Sequence, residues 1–492
     1  MDKPMPRRAG SAAQAGESVR EGHGVFAPLL LRELRVLAED FRCHVSFLLI
    51  FSLMGFGALV YAVRYRSENR ERTAELARYT ETLRQSTVDE AVEILHPAVK
   101  PPWKLAFLAD GGQLKAPNVY RQALSAWVEP ELTRTHGADD RSRGSESLDW
   151  TFLIRVVLSL AAFALGHDAI CGARQRATLR MLLSYPVARW RILTARLAAA
   201  WSCLAVPLLG GTAVSLLILI GYGGLRFNAA EVGKIALVAG LALWAIAVFL
   251  LIALLVSALT RDSTRSLAVL ALIWVMAVEV IPAASGLLAC GLRPLATDKE
   301  VERQMAEIRY RVEAERGGPG SWRGREWAKA DDYAWERSSA ETQNLRYALQ
   351  EELRRAILER QLSQVELARH LASLSPMFLV QELAERLTGS GSGRDRSFLE
   401  QARAFGEVLA ERVRMLDARD GESPHVLYFS GYLSGRPVDA EAFPRFSFRE
   451  RSPGQGLRAS LAHLLVLALV TAIVLAGAFY HFGRYDVGGG TR

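Results

Sequence analysis

The chain has 492 residues with a formal net charge of +8, half of them hydrophobic and 23% charged, and its mean hydropathy is +0.11. A positive mean hydropathy beside that many charges requires apolar residues gathered into blocks, as membrane spans are. The balance excludes a disordered, collagenous or disulfide-stapled chain. A basic stripe interleaved with aromatics is also missing, so no nucleic-acid partner is expected although most of the 60 basic residues are arginine.

Residues 1–23 are polar, lack the apolar core of a signal peptide and read as a disordered cytoplasmic tail. In 24–42, Phe26, Leu30, Leu34, Leu37 and Phe41 share one helical face, with Arg32, Glu33, Arg35, Glu39 and Asp40 mostly elsewhere. That pattern suits an interfacial helix on the membrane surface, or one packed on a protein beneath it. Six apolar blocks follow, at 44–63, 151–169, 197–222, 232–259, 266–292 and 457–482. Each approaches or exceeds the roughly 20 residues that cross a bilayer. The second is the weakest, with Arg155 near one end and His167 and Asp168 near the other. These charges can snorkel or mark the interfaces.

The connection 170–196 carries Arg174, Arg176, Arg180, Arg189, Arg191 and Arg196, and Arg261 and Arg265 lie between the fourth and fifth blocks. The positive-inside rule places these connections, and both termini including 483–492, in the cytoplasm. The polar regions 64–149 and 293–456, together half of the chain, then lie on the other side. The expected fold is an all-α polytopic membrane protein with six transmembrane helices and a largely helical extracytoplasmic domain. In the larger polar region, helices are expected at about 298–316, through Leu345, Leu349, Leu353 and Ile357, and over Ser397–Arg419. Another should start at Ser375, an N-cap with Pro376 at the first helical position, and run to Leu387. The run Gly389–Gly393 reads as a flexible turn, and Pro424–Phe448 as loops and short strands.

The segment Gly172–Leu193 reads GARQRATLRMLLSYPVARWRIL, a cationic helix from about Arg174 to Leu183 broken at Tyr185 and Pro186. Such a helix suits docking into a groove on a cytoplasmic subunit, but the charge alone fits a positive-inside loop equally well. Glu279 lies inside the fifth block, three residues before Pro282. A membrane-embedded acid is costly, so it is a candidate for a proton or substrate path, or a hydrogen-bonded structural acid. No Gly-x-x-x-x-Gly-Lys-Ser/Thr occurs, so ATP hydrolysis is not expected of this chain. The nine His residues show no metal-ligand spacing, and Cys43, Cys171, Cys203 and Cys290 form no redox motif. No metal or cofactor is expected.

The stretch from Gly172 resembles the cytoplasmic loop of type-2 ABC transporter permeases, roughly Gly-Glu-Arg-x-x-Gly-Thr-Leu and then Leu-Leu-Ser-x-Pro-Val-x-Arg. Gly172, Arg174, Thr178, Leu179, Leu182, Leu183, Ser184, Pro186, Val187 and Arg189 match, while Ala173 replaces the acid and Ala177 the glycine. The segment from Leu374 to Gly391, LSPMFLVQELAERLTGSG, is similar to the outer domain of a subgroup with large extracytoplasmic insertions. The resemblance implies a permease subunit in the bacterial inner membrane that exports a substrate or transmits mechanical work. A separate ABC ATPase would bind ATP and dock on Arg174, Arg176, Thr178, Arg180, Ser184, Pro186 and Arg189. It also implies pairing with a second copy or a similar permease, and an envelope partner for the outer domain. The competing class is a non-transporting scaffold or sensor with a large extracytoplasmic binding domain.

Overall fold

The computed structural model describes residues 26–113, 116–125, 128–134, 148–176, 178, 181, 187–316, 333–426, 431–450 and 453–484. The tails expected at 1–23 and 483–492 therefore lie outside the described residues, apart from Gly483 and Arg484. The protein is 74% helical. Helix α1 covers 26–38. The six helices long and apolar enough to cross a membrane are α2 Phe41–Arg84, α3 Trp150–Gln175, α4 Arg189–Gly221, α5 Ala229–Leu259, α6 Ser263–Leu292 and α11, whose apolar span is Ser460–Gly483. Between α6 and α11 come α7 Asp298–Arg316, α8 Ala334–Ala372, α9 Pro376–Thr388 and α10 Ser392–Asp417.

Helix α2 has 44 residues, about 66 Å at 1.5 Å per residue, so it continues well past the apolar block 44–63. Its second half, RYRSENRERTAELARYTETLR, is polar but made of good helix formers. Beyond it lies the one described sheet, β1 His96–Val99, β2 Val119–Gln122 and β3 Glu131–Thr133, antiparallel in the order β1-β2-β3. His96 pairs with Gln122, and Val119 with Thr133. The strands expected in 424–448 are not found among the described residues; Pro437 makes only an isolated bridge to Thr87. Backbone pairing there goes to Ser86, Val88 and Asp89 rather than along a strand.

Helices α3 and α5 are the centre of the bundle. Their apolar windows are 67% and 61% buried, against 17% for α6 and 11% for α11. Polar side chains tie the helices together: Trp274 Nε1 donates to Ser159 Oγ at 3.0 Å, Trp244 Nε1 to Thr471 Oγ1 at 3.1 Å and Ser215 Oγ to the Met54 carbonyl at 3.1 Å. Such bonds matter where lipid removes the ordinary hydrophobic drive for helix association. Cys43 and Cys203 form a disulfide joining α2 to α4, a link 160 residues apart in sequence that no spacing rule could have found.

Helix α9 is the junction between the bundle and the polar half. It starts as expected, with Ser375 as N-cap and Pro376 in the first turn, and ends at Gly389, whose φ of +82° suits a residue without Cβ. Met377, Val380 and Leu383 belong to the same continuous core as Ile50, Phe163 and Phe249 of the spans. Ser375 Oγ also donates to the carbonyl of Ala277, inside α6, at 2.7 Å. Glu382 is held by Arg369 (Nε–Oε2, 2.7 Å) and Arg386 (Nε–Oε1, 2.8 Å). Burial pushes the Glu382 carboxyl up, but the two guanidinium groups outweigh it and hold it below the usual range. Gly391, φ +87°, turns the chain into α10, so the glycine run is a tight corner between helices.

His96 lies fully buried in the polar half, stacked on Phe443 with centroids 5.6 Å apart. The Ala91 carbonyl accepts from its Nε2 at 2.9 Å, which leaves Nδ1 to accept from the Tyr79 hydroxyl at 2.7 Å. Burial lowers the imidazole pKa from 6.5 to about 4. The unfolded chain therefore takes up a proton first as the pH falls. The stabilisation is complete above pH 6.5 and is lost as pH falls through 4, amounting to about 3 kcal/mol in full. Thermal unfolding should show this loss between pH 6.5 and 4 relative to His96→Asn; equal pH slopes in the two proteins would refute it.

Candidate functional site

The candidate site lies at the end of the bundle that carries α1 and the Arg-rich connection. Asp40 caps α2, accepting from Arg42 N at 2.8 Å. The hydrogen-bonded Arg42 guanidinium holds the Asp40 carboxyl below its ordinary value. The same guanidinium donates to the Ala164 carbonyl at 3.0 Å and to both oxygens of Asp168, at 3.2 and 3.3 Å. One arginine thus clamps the start of α2 to the end of α3. Arg196, near the start of α4, donates to the Ala169 carbonyl, and its Nε lies 3.8 Å from Glu33 of α1.

The connection after α3 is itself fixed from the bundle side. Ser257 Oγ of α5 accepts from the backbone of Ile170 and Cys171 at 3.0 and 3.1 Å, and Gln175 accepts from Ser263 Oγ at 3.1 Å. Residues Cys171–Gln175 are helical, and Thr178 Oγ1 donates to the Ala173 carbonyl at 3.1 Å. Of the residues expected to meet an ATPase, Arg174, Arg176 and Thr178 lie on this stretch, and Arg189 opens α4, donating to the Gly483 carbonyl of α11 at 2.6 Å. Arg180, Ser184 and Pro186 lie outside the described residues, as does half of the helix expected from Arg174 to Leu183. Helix α1 turns Leu29 and Leu37 toward the bundle while Leu31 and Val36 stay exposed, so both of its sides carry apolar groups.

A cavity of about 280 Å³ lies between α1, the start of α2, the end of α3, α4 and α5. Its polar lining, including Arg32, Arg42 and Arg196, was not singled out as a site in the sequence; the signal available was an arginine placed one residue before an apolar block. Glu279 sits elsewhere, in a π-helical turn of α6, Met276–Val280, and is exposed. Its side chain lies on the outer surface of this single bundle. Among the described residues no group of three His, Cys, Asp or Glu side chains could hold a metal ion.

Six apolar helices around a shared core, with a basic connection at one end and a largely helical cap at the other, define a polytopic all-α membrane protein. The chain belongs to the ABC-2 transporter family: residues 27–487 match the family described as "ABC-2 family transporter protein". It is therefore a type-2 ABC permease, a transmembrane subunit of an ABC transporter. Such permeases are membrane subunits without an ATPase of their own, and they generally work with an ABC ATPase partner. No curated protein matches the sequence.

Proposed function

We propose that a separate ABC ATPase binds ATP and docks on the 170–196 connection and on α1, and that its closure moves the spans and, through α9, the cap. In this reading the permease sits in a bacterial inner membrane with the Arg-rich end and both termini in the cytoplasm, and 64–149 and 293–456 outside. The observation that carries it is the Arg42 clamp. It joins the base of α2, directly after α1, to the end of α3, from which the Arg-rich connection emerges. A push on that end would reach two spans at once. The core shared by α9 and the spans favours delivery of the motion to the cap, either to export a substrate or to do mechanical work on an envelope partner. A second copy or a similar permease would cover the outward faces of α6 and α11 and the exposed Glu279.

The test is purification of the intact protein from its native membrane in mild detergent. An ATP-binding subunit should co-purify, and Arg174→Glu with Arg180→Glu should cut its recovery about tenfold or more, as reversal of interface charges does. A permease recovered free of any ATPase, under conditions that hold other membrane complexes together, would overturn the reading in favour of the scaffold or sensor.

A further inference from the structure

The cavity at the Arg-rich end has a composition that ATPase docking does not explain. Its floor is apolar and belongs to the spans: Leu165 of α3, Ala200 of α4, and Leu250 and Leu254 of α5. Its mouth carries four arginines, Arg32, Arg42, Arg176 and Arg196, against three acids. The acids are engaged: Asp40 and Asp168 both bind Arg42, and Glu33 lies 3.8 Å from Arg196. No acid among the described residues lies within ion-pair distance of Arg32 or Arg176. The Arg196 side chain is 11% exposed, and with Arg32 and Arg176 lining the same space the one nearby carboxylate, Glu33, faces more than one guanidinium and the mouth stays net positive. At about 280 Å³ the space is far roomier than the pockets of about 10 and 30 Å³ beside Gly57 and Trp103.

From this we infer a binding site for an anionic phospholipid, with its phosphate at Arg32, Arg176 and Arg196 and the first part of an acyl chain over Leu250 and Leu254. Planar guanidinium groups match phosphate oxygens in pairs, which makes a phosphate ester the chemistry this mouth recognises. A soluble phosphate compound would use the mouth but leave the apolar floor unfilled, and a carboxylate reaching in from a docked protein would do the same. A lipid uses both, because its own polar–apolar boundary coincides with that of the cavity. The exposed Leu31 and Val36 place α1 where its apolar side would meet such a lipid. The site would stabilise α1 against the bundle by filling the space between them, and it does not depend on whether an ATPase docks nearby.

The test uses the purified full-length chain without any partner, reconstituted in nanodiscs of mixed phosphatidylglycerol and phosphatidylcholine, with retained lipid counted by native mass spectrometry. Phosphatidylglycerol should be retained preferentially, and retention should fall about fivefold for each arginine neutralised in Arg32→Gln and Arg176→Gln. Both of these side chains are exposed, so neither variant threatens folding; an unchanged thermal midpoint in detergent confirms that. Ala200→Leu, which fills the floor, should lower retention with the arginines intact. Equal retention of the two lipids, or retention unchanged in the arginine variants, overturns the inference. So does a delipidated protein that inorganic phosphate stabilises while phosphatidylglycerol is not retained, which would mark the mouth as a site for a free anion.

Discussion

Replacing Arg394 with alanine should lower the stability of the cap by about 3 kcal/mol, the upper range for losing hydrogen bonds to a charged group. Arg394 opens α10, and its side chain is 2% exposed. Its Nε donates to both oxygens of Glu450, at 3.1 and 3.2 Å, and Nη2 donates to Oε1 at 2.7 Å. Nη1 reaches Gln113 Oε1 at 3.0 Å, and Nη2 also reaches the Pro101 carbonyl at 2.9 Å. The guanidinium lies 4.9 Å from the ring centre of Trp103 and 5.3 Å from that of Phe448. One side chain thus joins the two polar regions of the chain, 64–149 and 293–456, just above the spans. Lys100 and Asp395, 2.5 Å apart beside it, make a second link of the same kind; burial lowers the Lys100 pKa despite the nearby carboxylate. Thermal unfolding in detergent should show a midpoint lowered by about 10 °C or more. Arg394→Lys should recover little, since an ammonium cannot reproduce the forked contacts. A midpoint within about 2 °C of wild type would show that the contacts are worth no more than a surface pair.

These long-range contacts mark the limit of what the sequence discloses. The spans were legible because lipid demands long apolar runs, and the α9 start because Ser375-Pro376 is a local signal. The second half of α2 was not recognised, because a polar helix with little apolar face leaves no periodicity to read. The sheet was missed for another reason: β1, β2 and β3 have four, four and three residues, with β1 buried throughout, so no polar–apolar alternation appears. At the Arg-rich end, the cluster of arginines after α3 was plain in the sequence, and its family resemblance agrees with the 27–487 match. Which arginine meets which acid was not. Arg42 and Asp168 are 126 positions apart, and Arg196 acquires its enclosed surroundings only when α1 folds back over α4. Glu279 shows the converse. Its position inside an apolar block was clear, but the direction it faces depends on the rotation of α6, which single-residue hydropathy does not specify.

The second large effect is expected at Gly166, where α3 packs tightly against Ala253 of α5. A Cβ at this position would stand 2.5 Å from Ala253 Cβ and 3.7 Å from its Cα. Neither atom can move aside, because Ala253 is a backbone-anchored methyl on one of the two most enclosed spans, with no exposed surface. Small residues at such crossings let helix backbones approach, which supplies much of the packing energy between helices in lipid. Gly166→Leu should therefore force α3 and α5 apart and cost about 3 kcal/mol or more, the upper range for overpacking. Gly166 also lines the cavity at the Arg-rich end, so the separation should loosen the clamp between Arg42 and Asp168. The control is Gly240→Leu on α5 itself, where an added Cβ meets nothing within 4 Å. Both variants replace a glycine by leucine within an apolar span, Gly166 at the end of a helical run and Gly240 in the middle of one. The Gly240 protein should extract and melt like wild type, while the Gly166 protein should show a lowered midpoint and faster proteolysis near 167–196. Equal behaviour of the two would mean that the α3–α5 crossing tolerates separation, and that the central pair is not what holds the bundle together.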